Sequence, residues 1–66
     1  MPKYAEFERE LKQAGCYFHH EGGEHEVWYS PITGLTFRIS RHKQQEVPRG
    51  TEKAIRNQSG VPKKRN

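Results

Sequence analysis

Four histidines, His19, His20, His25 and His42, and one cysteine, Cys16, are the residues of this 66-residue chain best suited to chemistry. Imidazole binds metals, and with a reference pKa of about 6.5 it also takes or gives a proton near neutrality. The spacing argues against a metal. His19 and His20 are neighbours on a predicted strand and so are expected on opposite faces, and the paired-ligand spacing of a structural zinc site is missing. Acid–base work is left, with no metal and no cofactor expected. RNA is an undemanding substrate for it, because its own 2′-hydroxyl can attack the adjacent phosphate. The protein need only position the strand, move protons and stabilise phosphate charge. Any one of these histidines, read alone, is more simply a surface strand residue than a catalytic one.

Position separates His25 from the others, since it follows Gly22 and Gly23, whose missing side chains would let a phosphate backbone come close. Arg49, Lys53 and Arg56, spaced four and three apart, fall on one stripe of a predicted helix. Arg38, Arg41, His42 and Lys43 sit at the end of a predicted strand and in the loop beyond it. A stripe of cations is also what an ordinary solvated helix face looks like. With Tyr17 and Trp28 expected at the surface to stack on bases, the set reads as an RNA-binding face with His25 as its catalytic group. Cys16 reads as a small buried hydrophobe.

The elements that must position these groups follow from spacing. Tyr4, Phe7, Leu11 and Ala14 share one helical face, and Gly15 ends that helix. Two short runs, residues 16–20 and 25–30, are joined by Glu21-Gly22-Gly23-Glu24 as a hairpin turn. After the turn Pro31-Ile32-Thr33-Gly34, Leu35, Phe37 and Ile39 alternate with Thr36, Arg38 and Ser40, which predicts a strand with one buried face. A polar loop over residues 41–45 leads to Pro48 and a second helix, whose Thr51, Ala54, Ile55 and Gln58 share a face and which Gly60 stops. The expected architecture is α+β, in the order αβββα: a three-stranded antiparallel sheet with two helices on one face and the other face open. Of the two rows on the second strand, Val27 and Tyr29 are expected inward. Residues 1–60 are expected to form a single domain, and residues 61–66, with nothing to bury, a flexible basic tail.

Composition bounds the partners. Leu, Ile, Val and Phe together number eleven, few enough to raise the question of disorder, but seven aromatic residues favour a small, marginally stable fold that gains from a partner. The net charge of +4 hides an asymmetry. Residues 1–33 carry three Lys or Arg against six Glu, and residues 34–66 carry nine against two. A basic half suits RNA, DNA or an acidic protein surface. The lone cysteine and the absence of any membrane-length apolar run fit a cytoplasmic setting with no membrane partner.

Over residues 3–61 the chain resembles the HicA toxins of type II toxin–antitoxin systems. The resemblance rests on the first helix ending in Ala14-Gly15, on Gly23-Glu24-His25 where the family usually has Gly-Ser-His, and on Trp28, Pro31 and Gly34 in the turn region. It continues with Ser40-Arg41-His42, similar to the family's Pro-Arg-His, and with the segment from Glu46 through Pro48, Gly50 and Thr51 to Gly60-Val61. It implies a fold like that of double-stranded-RNA-binding domains, an endoribonuclease acting on mRNA, a cognate HicB-type antitoxin that covers the active surface, and His25 as the essential histidine. Glu24 and Ser40 depart from the family's serine and proline. A module that grips RNA without cutting it is the competing reading. A DNA-binding regulator is disfavoured, because no two predicted helices are joined by the short turn of a helix-turn-helix.

Overall fold

Tyr4, Phe7 and Leu11 lie one above another along α1 (Tyr4–Gln13), and all three are buried. The computed structural model describes residues 3–63. Beyond α1 come β1 (Tyr17–Gly22), β2 (His25–Ser30), β3 (Leu35–Ile39) and α2 (Arg49–Ser59), the expected αβββα order. The helix ends in a Schellman motif. The N–H of Cys16 donates to the Leu11 carbonyl at 2.9 Å and that of Gly15, at φ +103°, to Lys12 at 3.0 Å. This turns Cys16 into the core beside Leu11. At the other end, the carbonyls of Gln45 and Lys43 accept the N–H groups of Tyr4 and Ala5, each at 3.0 Å. The loop before α2 therefore satisfies donors that the start of a helix leaves unpaired.

The sheet has the order β1-β2-β3, all antiparallel. A four-residue turn, 31–34, pairs Ser30 with Leu35, so Trp28 pairs with Phe37 and Glu26 with Ile39. Phe37 and Ile39 are the apolar row of β3, and they carry the Trp28 row with them beneath the helices. The expectation that Val27 and Tyr29 face inward is thus corrected: Trp28 is 2 % exposed and belongs to the core, and it cannot serve as a surface stacking platform. Leu35 shares the inward row but, at the strand's end, stays exposed.

The second helix buries Glu52, Ile55 and Ser59 rather than the expected face of Thr51, Ala54, Ile55 and Gln58. Two contacts set this rotation. Ser30 Oγ donates to the Ser59 carbonyl, and Thr33 Oγ1 donates to the Gln58 carbonyl at 2.7 Å, tying the end of α2 to the β2–β3 turn. Gly60 then turns the chain at φ +74°, and Val61, 6 % exposed, enters the core. The packed unit therefore reaches past residue 60, against the expectation of a tail starting at 61; residues 64–66 of that tail lie outside the described residues.

Gly60 also lacks room for a side chain, because a Cβ there would stand 2.8 Å from Thr33 Cγ2 and 2.9 Å from Ile32 Cγ2. Gly34 has nearly the same φ, +73°, with open space around it. Gly34→Ala is expected to cost only the left-handed backbone penalty, about 1–2 kcal/mol. Gly60→Ala adds the clash, and at roughly 4–8 °C per kcal/mol for a domain of this size its melting temperature should fall clearly further. Thermal unfolding followed by circular dichroism checks the order; equal losses would contradict it.

Candidate functional site

His25 opens β2 directly after a two-residue turn, Gly23-Glu24, since Gly22 and His25 are already a cross-strand pair. Gly23 has φ +83° and Glu24 a negative φ, the pattern of a type II′ turn. The two glycines act differently. A Cβ on Gly22 would lie 2.5 Å from Val27 Cγ2 and 2.9 Å from the His25 carbonyl oxygen, so its missing side chain makes room for the sheet rather than for a ligand. Gly23 faces open space. The Arg41 guanidinium donates to the Gly23 carbonyl and to the Glu21 carboxylate, clamping the turn from outside. On this support His25 is exposed, and its imidazole has no hydrogen-bond partner among the described residues.

His25, Val27 and Tyr29 form the row turned away from the helices, and β1 adds to it in a way that simple alternation misses. Gly22 pairs with His25 and His20 with Val27, but Phe18 pairs with Trp28, leaving His19 as an extra residue. This bulge keeps Phe18 on the side of Trp28; without it His19 would occupy that place. The extra residue instead turns out beside its neighbour. His19 and His20, expected on opposite faces, therefore converge, with Nδ1 to Nδ1 at 2.7 Å and ring centroids 4.9 Å apart. Tyr29 lies 6.2 Å from the His19 ring and 5.5 Å from that of the exposed Tyr17, so the aromatic surface of this face is Tyr17 and Tyr29.

A groove of about 780 Å³ runs from this face to α2. His20, Val27, Thr36 and Arg38 line it from the sheet, and Gly50, Thr51, Ala54 and Gln58 from the helix. Arg38 lies across from Val27, is exposed, and forms no ion pair among the described residues. His25 stands two residues along β2 from Val27, outside the lining. Thr36, Thr51 and Gln58 are groove residues that sequence reasoning did not select.

The other cations do not gather here. Lys43 Nζ donates to Glu26 at 2.8 Å and to Glu8, linking the loop to β2 and α1. Glu26 also accepts the Trp28 indole N–H at 3.1 Å. Arg56, its side chain 11 % exposed, donates to Glu52 at 2.8 Å and Glu10 at 3.2 Å and lies over the Phe7 ring. Lys43 and Arg56, like Arg41, are thus engaged by carboxylates, which corrects their reading as free phosphate contacts. Arg49 and Lys53 are exposed but lie on the side of α2 turned away from Thr51, Ala54 and Gln58, where they border a separate 220 Å³ hollow with Arg56 and Lys63. His42 is exposed in the loop, its N–H donating to Ser40 Oγ at 3.0 Å.

A family described as HicA toxin of bacterial toxin-antitoxin matches residues 4–61. No curated protein and no solved structure matches the chain. Among the described residues no three of His, Cys, Asp and Glu converge as a metal site, and no helix is long and apolar enough to cross a membrane.

Burial pushes the Glu26 carboxyl up, but hydrogen bonds from Lys43 and Trp28 and the charges of Lys43 and Arg41 outweigh it and hold Glu26 below its ordinary 4.5. Burial likewise pulls the Lys43 ammonium down, and Glu26 and Glu8 more than restore it, holding it above 10.5. A depressed carboxylate stabilises the fold above its unfolded pKa, and that share is lost as pH falls through the folded value. Lys43→Met should therefore lower the stability at pH 7, by on the order of 1 kcal/mol once solvent screening is allowed for, and with it the melting temperature. Its gap from the wild type should narrow below pH 4.5, and a gap unchanged from pH 7 to pH 3 in thermal melts would refute the coupling.

Proposed function

The chain belongs to the HicA family of bacterial toxin–antitoxin toxins, a membership that implies a cognate antitoxin as partner, and from that premise we propose that it arrests growth by cutting mRNA with His25. The observation that carries this reading is the placement of His25. It is an exposed imidazole at the first position of a strand, beside a glycine turn with open space, on a sheet face that also holds two tyrosine rings and an arginine with no ion pair among the described residues. The position is also the one at which the family's histidine falls.

Each part has a task. Tyr17 supplies an aromatic surface on which a base can stack, and Arg38 supplies positive charge for a phosphate. His25 takes the proton from a 2′-hydroxyl, the 2′ oxygen bonds to the adjacent phosphorus, and the bond from phosphorus to the 5′ oxygen breaks. The 5′ oxygen leaves with a proton. The products are a 2′,3′-cyclic phosphate and a 5′-hydroxyl, and no redox partner is needed. HicB-type antitoxin binding over this face would block the strand's approach.

Purified protein in excess chelator should leave RNA fragments with 2′,3′-cyclic or 3′-phosphate ends. His25→Ala should lose cleavage by about 10²–10⁴-fold with unchanged circular dichroism, and the variant should no longer arrest growth. Full cleavage by His25→Ala would reject the assignment, and a mobility shift without fragments would favour RNA binding by occupancy. Binding should weaken as salt rises, because phosphate contacts release counterions.

A further inference from the structure

We propose that His20 is the second proton-transfer group of this reaction, the acid that protonates the leaving 5′ oxygen, with His19 as its positioning residue. This rests on the nuclease reading above. In that reaction the attacking and leaving oxygens lie on opposite sides of the phosphorus, so one imidazole that takes the 2′ proton is badly placed to deliver another across the phosphate.

Three observations bring His20 into the second position. The bulge in β1 turns both His19 and His20 to the face that carries His25. The pairs Gly22–His25 and His20–Val27 then make His20 and His25 diagonal neighbours, with Cα atoms about 7–8 Å apart in such pairs. Two imidazole nitrogens, each about 2.8 Å from an oxygen of one phosphodiester, need a span of that order. Gly22, the residue paired with His25, has no side chain on this face, and a Val27 methyl lies where its Cβ would be. Finally, His20 lines the groove together with Arg38, the cation suited to hold the same phosphate.

The contact between the two Nδ1 atoms defines how His20 works. At 2.7 Å one nitrogen donates and the other accepts. With His20 Nδ1–H donating to His19 Nδ1, the Nε2 of His20 is left for substrate. An imidazolium at His20 gives its Nε2 proton to the 5′ oxygen and becomes neutral while keeping the bond to His19. His25 has meanwhile gained the 2′ proton, so the protein's proton count is unchanged over the step. Glu21, the nearest carboxylate on β1, is occupied by Arg41. Arg38 on β3 and Glu24 in the turn are the other charged groups bordering this face.

The test is single-turnover cleavage of two substrates by the full chain: an ordinary RNA, and the same RNA with sulfur bridging the scissile 5′ position, whose thiolate leaves without a proton. His20→Ala and His20→Gln should lose about 10²-fold on the ordinary RNA and recover to near wild type on the sulfur substrate. His25→Ala should stay inactive on both. The fall in wild-type rate at high pH, expected of a required acid, should vanish in both His20 variants. His19→Ala should weaken cleavage, and His19→Asn, which keeps an acceptor, should restore much of it. Full activity of the His20 variants on ordinary RNA, or equal impairment on both substrates, would overturn the role of His20 while leaving that of His25 intact. A wild type that cuts neither RNA would remove both assignments together.

Discussion

The pairing of Trp28 with Phe37 is the constraint on which the arrangement depends. An antiparallel register has a fixed sum of paired residue numbers, and the four-residue turn between Ser30 and Leu35 makes that sum odd across β2 and β3. Even positions of β2 therefore share a face with odd positions of β3. Because Phe37 and Ile39 must be buried, Trp28 goes with them, and His25, Val27 and Tyr29 are left on the uncovered face. A turn one residue longer or shorter would exchange the rows, burying the histidine and exposing the indole.

The same reasoning explains the bulge. The two-residue turn at Gly23-Glu24 also gives an odd sum, which would set His19 beside Trp28 and send Phe18 outward. One extra residue reverses the parity beyond His20, so Phe18 stays on the helix side and an imidazole is kept out of the apolar layer. A bulge on the outer edge of a sheet also disfavours further strand pairing there. The concentration of histidine on one face thus arises from core packing before any chemistry is considered.

Much of this was legible in the residues, and the failures have physical causes. Helical spacing in Tyr4, Phe7 and Leu11, the alternation at Phe37 and Ile39, and Gly15 and Gly60 as stops each reflect local rules, and each reads correctly. The orientation of β2 did not, because Val27 and Tyr29 look as apolar as Trp28 and only the turn length decides between the rows. The convergence of His19 and His20 was hidden because alternation assumes no bulge; the signal was the conflict between two turn lengths and the place of Phe18. The charge asymmetry misled in a different way. The acidic first half and the basic second half are partly each other's counterions, with Glu8 and Glu26 on Lys43, Glu10 on Arg56 and Glu21 on Arg41. A count along the sequence assigns all those cations to a partner, whereas folding consumes three of them.

That consumption shapes the electrostatics around His25. Arg41, which lies near the turn, is held by Glu21 and the Gly23 carbonyl, so its charge is locally balanced and its work is to fix the turn's shape. Glu24 adds a carboxylate next to the imidazole where the family usually has serine. The positive charge that this side offers an anion then falls on Arg38, carried by a strand whose neighbours Phe37 and Ile39 are locked in the core. A cation on so rigid a support can be aimed at one phosphate position without losing much conformational freedom on binding, which a cation on a loop such as that of His42 would have to surrender.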